Sequence, residues 1–173
     1  YMISLAEDIR ERFGDDLIGS TANELENLGS LGIDIMVERI KADLKELDVE
    51  FDQWFSEKTL MLPDQQYDRI MSLLNTQKQT TERDGAVWFT SSELGESKDN
   101  VLIRSDGTPT YFASDIAYHF DKFVLRGFDR VIDIWGADHQ GHVSRVKAAV
   151  DCVGGNSENL DVLLYQLVTL KRG

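Results

Sequence analysis

One cysteine, two prolines and three histidines in 173 residues set the first limits on this chain. The single thiol, Cys152, excludes an intrachain disulfide framework and fits a reducing compartment. No apolar stretch approaches the roughly 20 residues needed to cross a bilayer, and no basic leader followed by an apolar run stands at the start. Positive charge is scarce as well: eighteen Lys and Arg face thirty-one acids, for a net charge of −13. Such a surface does not adhere broadly to phosphate backbones, so a nucleic-acid partner would be held mostly outside this segment. Neither G-x-S-x-G nor G-x-x-x-x-G-K-[ST] occurs, which removes the hydrolase nucleophile elbow and the P-loop. The expectation is a cytoplasmic chain with no membrane contact.

What is present is ample for a packed core: 42% of residues are hydrophobic, including three Trp and eight Phe. Ile3, Leu5, Ile9 and Phe13 predict a helix over 2–13 that Gly14 ends. Residues 15–30 are polar and small enough for a loop or a short helix. A second helix is expected from about Leu31 to Leu47, with Ile33, Met36, Val37, Ile40, Leu44 and Leu47 as its buried stripe. "VEFDQWFS" (49–56) reads as a strand, and Pro63 as a helix start with Asp64 in the first turn. Asp84-Gly85 and Asp106-Gly107 are turn signals beside Val87–Phe89 and Val101–Ile103, which predicts an inserted antiparallel ribbon. Helix then strand (131–135), helix (143–153) and the apolar run "VLLYQLVTL" alternate as in a doubly wound parallel sheet. The fold class expected is therefore α/β, a doubly wound parallel sheet with an inserted antiparallel ribbon.

Two places carry candidate chemistry. Tyr111 and Asp115 lie four apart beside the apolar face Phe112, Ile116, Phe120, Phe123. A carboxylate there is costly unless paired, and a guanidinium is its natural partner. An internal Arg, such as Arg104 or Arg126, or a loop could equally satisfy it. The second place is "GADHQGH" (136–142), at the end of an apolar strand and the entrance to a helix, where ligands of open α/β sheets sit. Gly136 and Gly141 allow close backbone approach, Asp138 can accept from ribose hydroxyls, and His139 and His142 can face phosphates. Asp138 could instead cap the helix, and the histidines be loop residues. Asp138, His139 and His142 could also ligate a metal, but only with His119 brought from another helix; no metal is expected.

"DGTPTYFASDIAYHFDKF" and "FDRVIDIWGADHQGHVSRVKAA" together resemble the bacterial-type arginyl-tRNA synthetases, class I enzymes with a Rossmann catalytic domain. The likeness extends backward through "RDGAVWF" and "VEFDQWFSE" and covers nearly the whole chain. It implies that Tyr111 and Asp115 hold the substrate arginine, with the carboxylate on the guanidinium and His139 beside it. It also implies that Gly136, Asp138 and His142 lie against ATP and the adenylate. The expected activity is that of an arginine–tRNA ligase: ATP-dependent formation of arginyl-adenylate, then transfer to tRNA(Arg). The cofactor expectation is ATP as substrate, Mg²⁺ with it, and no tightly bound cofactor. The H-I-G-H and K-M-S-K-S segments of class I enzymes are not in the sequence, nor is an anticodon-binding domain. Residues 1–173 are thus expected to be a partial catalytic domain, inactive alone and able to self-associate through an open sheet edge, cut from a monomeric enzyme. A non-catalytic arginine- or nucleotide-binding module derived from a synthetase is the alternative.

Overall fold

The computed structural model describes residues 1–14, 21–169 and 171, which fall into two compact units, Tyr1–Trp54 and Phe55–Gly173. The first unit holds α1 (Met2–Phe13) and α2 (Ala22–Glu46). Gly14 ends α1 with φ 78, a left-handed value that glycine takes without strain, and its N–H bonds to the Arg10 carbonyl at 2.9 Å. Leu5 and Ile9 pack on Ile35, and Gly32 lies against the same two side chains, where a Cβ would be in ordinary contact, 3.6 Å from Leu5 Cδ2.

Several expectations need correcting here. The second helix starts at Ala22 rather than near Leu31, because Thr21 and Glu24 form a reciprocal capping box. Thr21 N–H donates to Glu24 Oε2 at 3.0 Å, and Glu24 N–H donates to Thr21 Oγ1 at 3.3 Å. Residues 15–20 of the expected loop or short helix lie outside the described residues. Of the expected stripe, Met36, Val37 and Leu44 are half-buried, whereas Ile33, Ile40 and Leu47 are exposed. The contact with α1 falls on Gly32, Ile35 and Met36, and Ile33 and Ile40 lie beside it on a face of α2 that Leu5 and Ile9 do not cover. Residues 49–56 form no strand, since no partner strand pairs with them; Phe51 instead meets Trp54 edge to face at 5.6 Å, with the Lys41 ammonium 4.9 Å from the Trp54 ring. Thr21→Ala should cost about 1 kcal/mol of stability in denaturant unfolding followed by helical circular dichroism. An unchanged midpoint would show that the capping box does not hold the start of α2.

The second unit opens with a 3-10 turn (Glu57–Met61) and α3 (Gln66–Thr76). Pro63 and Asp64 lie in the preceding turn, not in the helix: Asp64 has φ 60, and its N–H is held by Asp68 Oδ2 at 2.8 Å. Next come β1 (Thr80–Arg83), β2 (Ala86–Phe89) and β3 (Asn100–Ile103), an antiparallel sheet in that order. The expected two-strand ribbon therefore has a third strand, β1, whose polar residues suit a sheet edge. Asp84 (φ 52) and Gly85 (φ 74) close the first hairpin with a mirror-image turn matching the strand twist. α4 (Tyr111–Phe120) runs into a π turn (Asp121–Leu125), followed by β4 (Val131–Gly136), α5 (Val143–Cys152) and β5 (Leu160–Tyr165).

β4 and β5 pair in parallel from Val131↔Leu160 to Gly136↔Tyr165, with α5 as the crossover. Strand and helix do alternate as expected, but the described residues hold two parallel strands, not a doubly wound sheet. Val131, Asp133 and Leu160 face the core. The opposite face leaves Ile132 and Ile134 exposed, together with Leu163 and Tyr165. Beneath the buried face, Ile70, Leu74, Phe89, Leu102, Ile116 and Val146 form the centre of one hydrophobic cluster. No described helix is long and apolar enough to cross a membrane.

Candidate functional site

The site is built where α4 leaves the three-stranded sheet. Asp106 Oδ1 accepts from Thr108 N–H (2.9 Å) and Oγ1–H (2.6 Å), closing a tight turn after β3. Thr110 then returns beside Leu102, donating its N–H to the Leu102 carbonyl (2.9 Å) and its hydroxyl to the Val101 carbonyl (2.7 Å). Its oxygen also accepts from Ala113 N–H at 3.4 Å, so one residue both ends the strand pairing and caps the helix. Phe112, Ile116 and Phe120 follow at i, i+4 and i+8 and are buried. This leaves Tyr111 81% exposed at the helix start.

Asp115, one turn further on, is half-buried, and no described protein group hydrogen bonds its carboxylate. Burial pushes its carboxyl above the usual range; His119 and Arg145 pull it down, while Glu57 and Asp133 add to the rise. The internal partners considered from sequence are engaged elsewhere. Arg104 donates to Thr108 Oγ1 (3.2 Å) and the Pro109 carbonyl (2.8 Å), and the Arg126 guanidinium lies 4.5 Å from the Phe128 ring.

"GADHQGH" is not an open loop: Ala137–His142 form a 3-10 turn that continues directly into α5. Asp138 caps neither element, and its side chain is 83% exposed, 3.7 Å from His139 Nε2. The His139 ring stands between Trp135 (6.4 Å) and His142 (5.3 Å), edge to face with both. Gly136 is a close approach: a Cβ there would lie 2.5 Å from Asp138 Oδ1. Burial, then the nearby charges of Arg145 and His139, hold His142 below the usual histidine range. Among the described residues, no group of three His, Cys, Asp or Glu could hold a metal ion.

No protein-family model matches the chain. Individual relatives do. The arginine–tRNA ligase of Dehalococcoides mccartyi strain BAV1 is 54% identical over 174 aligned positions, all of this chain and 31% of that protein. That of Carboxydothermus hydrogenoformans is 46% identical over 99% of this chain and 31% of its own length. The chain is a homologue of bacterial arginyl-tRNA synthetases. It spans about a third of the length of these relatives. A Campylobacter jejuni structure provisionally named an arginyl-tRNA synthetase superposes with a TM-score of 0.85 at 35% identity, over 96% of this chain and 36% of that one. The Thermus thermophilus arginyl-tRNA synthetase, 20% identical, shares the fold with a TM-score of 0.71, over 95% of this chain and 34% of that one.

In this arginyl-tRNA synthetase homologue, the residue that sequence reasoning missed is Arg145. Its guanidinium lies 5.1 Å from the Phe112 ring and donates to Asn100 Oδ1 at 2.9 Å, while its buried Nε–H has no hydrogen-bond partner among the described residues. Its charge is felt by both Asp115 and His142 and so links the α4 and α5 halves of the candidate site. Nothing in "VSRVKAA" distinguishes such a cation from a solvated one. A second group, His119, Asp133 and Lys122, did leave a signal. In "VIDIWG" the strand alternation puts Asp133 on the core side with Val131, and a carboxylate there requires a cation.

Proposed function

We propose that the chain is a portion of the catalytic region of an arginine–tRNA ligase, in which α4 supplies the arginine site and residues 136–142 the nucleotide site. The observation that carries this reading is the half-buried Asp115 carboxylate, which no described residue hydrogen bonds. It stands in a Y-x-x-x-D stretch of a chain 54% identical to an arginine–tRNA ligase. Asp115 would take the substrate guanidinium through two parallel charge-assisted hydrogen bonds, with Tyr111 and His139 beside the amino acid. Gly136, by its lack of a side chain, would let the backbone approach the nucleotide. Asp138 would accept from ribose hydroxyls and His142 would lie by the phosphates.

In that reaction the arginine carboxylate attacks the α-phosphorus of ATP, pyrophosphate leaves, and the arginyl group passes from AMP to a terminal hydroxyl of tRNA(Arg). Holding the two substrates in line is the protein's main contribution. Mg²⁺ would arrive on the ATP phosphates as part of the substrate. The parallel β4–α5–β5 unit, with one apolar face uncovered, supports a larger doubly wound sheet in the whole enzyme, since parallel sheets are ordinarily covered on both faces. A cytoplasmic setting goes with this role.

The deciding experiment is calorimetric titration of the chain with L-arginine, using citrulline and lysine as controls. Saturable binding of arginine but not citrulline, which lacks the cationic fork, is expected. Equal binding of both would remove the arginine reading. Gly136→Ala should change stability by no more than about 0.5 kcal/mol, because exposed Asp138 can swing away from the new methyl. The same change should weaken binding of a non-hydrolysable adenylate analogue several-fold. Unaltered affinity would place the nucleotide elsewhere.

A further inference from the structure

The buried polar group behind the candidate arginine site is used by none of the steps above. His119 is 2% exposed. Its Nδ1 lies 2.7 Å from the main-chain carbonyl of Asp115, and its Nε2 lies 2.7 Å from Asp133 Oδ2. Lys122 Nζ donates to the other oxygen, Oδ1, at 2.6 Å and sits 4.3 Å from the Tyr118 ring, which in turn stacks on Phe55 at 4.6 Å. Burial works against the ionised form of Asp133, but the hydrogen bonds and charges of His119 and Lys122 outweigh it and hold the carboxyl below its usual range. Asp133 is therefore an acceptor only, as is the Asp115 carbonyl. Both contacts of the His119 ring are hydrogen bonds only if both of its nitrogens carry hydrogen.

We propose that His119 is a positioning residue for Asp115: with hydrogen on both ring nitrogens, it clamps the arginine-binding turn of α4 to β4, the strand that leads into residues 136–142. Its importance for function rests on the arginine reading above; the clamp itself does not. Two consequences follow from the geometry. The spacing between Asp115 and the strand entering the nucleotide segment is held by two short hydrogen bonds through a buried ring. The ring also places a positive charge one helical turn from Asp115, which favours the ionised carboxylate that a guanidinium needs. The other groups acting on Asp115 are Arg145 of α5, Glu57 of the 3-10 turn and Asp133 of β4, with Lys122 and Tyr118 completing the surroundings of the clamp.

The test uses the whole chain labelled with ¹⁵N-histidine. Long-range ¹H–¹⁵N correlation at neutral pH should show both His119 nitrogens bearing hydrogen. A bare ring nitrogen at His119 would overturn the clamp. The second measurement follows the Asp115 carboxyl carbon through an acid titration. In His119→Phe, which keeps the ring volume, its midpoint should move upward, and His119→Gln, which can keep one hydrogen bond but carries no charge, should move it the same way if the phenylalanine variant does not fold. An unmoved midpoint in a folded variant would reduce His119 to packing and overturn the proposal. If the unmodified chain binds arginine, His119→Phe should weaken that binding. Absence of arginine binding by the unmodified chain counts against the arginine reading, while the histidine spectrum still decides the clamp.

Discussion

Asp115→Asn is expected to weaken arginine binding by about 10²–10³-fold and, at neutral pH, to make the chain more stable rather than less. The first effect is that of losing one partner of a partly desolvated charge pair, roughly 2–5 kcal/mol. The second follows from the burial that raises the Asp115 carboxyl above its ordinary range. A carboxyl raised in the folded state binds its proton more tightly there than in the unfolded chain. The folded state is therefore penalised once the group ionises: its contribution to stability is fully present below the unfolded value and is lost as pH rises through the raised folded value. An asparagine does not ionise, so the variant's advantage should be seen at neutral pH. It should shrink as pH falls through the folded value and be gone below the unfolded one. Thermal unfolding across acid and neutral pH reads the stability, and calorimetry reads the affinity. A variant that is destabilised at neutral pH yet binds arginine normally would mark Asp115 as a structural residue.

Phe89→Ala should cost about 3–5 kcal/mol, the largest loss of stability expected of a single side chain in the second unit. Phe89 ends β2, is fully buried, and meets Phe112 of α4 with ring centroids 5.9 Å apart at 54°. Removing the ring leaves a cavity between sheet and helix that neither can close, because β2 is paired on both sides, to β1 and to β3. Denaturant unfolding should show the loss, and the melting temperature should fall by on the order of 10 °C. Phe89→Leu should cost much less. Arginine affinity should also drop, since Phe112 carries the Arg145 guanidinium whose charge acts on Asp115. A loss below 1 kcal/mol would mean that the sheet is not anchored through this ring.

The features that could be read from sequence are those decided locally. α1, α4 and α5 follow from apolar spacing, the Asp84-Gly85 hairpin from turn chemistry, and β4 from its apolar run. β1 escaped because its four residues, Thr80 to Arg83, are polar and its stability comes from pairing with β2. The strand expected at 49–56 failed for the converse reason: Val49, Phe51 and Trp54 favour extended chain, but a strand without a partner is not a strand. Gly29, Ser30 and Gly32 obscured the first part of α2, although Thr21 and Glu24 announced its start. The doubly wound sheet was an extrapolation from alternation; only the crossover through α5 is seen among the described residues. In the candidate site, Tyr111, Asp115 and residues 136–142 were visible as residues of the right type in a suggestive order. Arg145 was not, because its place beside Phe112 depends on how α5 packs on α4, which no local pattern encodes.

The strand-to-helix junction at Thr110 has a mechanical meaning. With Thr110 bonded to the backbone of β3 and Tyr111 the next residue, no slack separates the sheet from the helix that carries Tyr111 and Asp115. The antiparallel sheet thereby acts as a datum surface against which those two side chains are aligned. A residue inserted between Thr110 and Tyr111 would shift both, whereas one inserted near Gly95, whose turn lies between β2 and β3, would leave their alignment untouched.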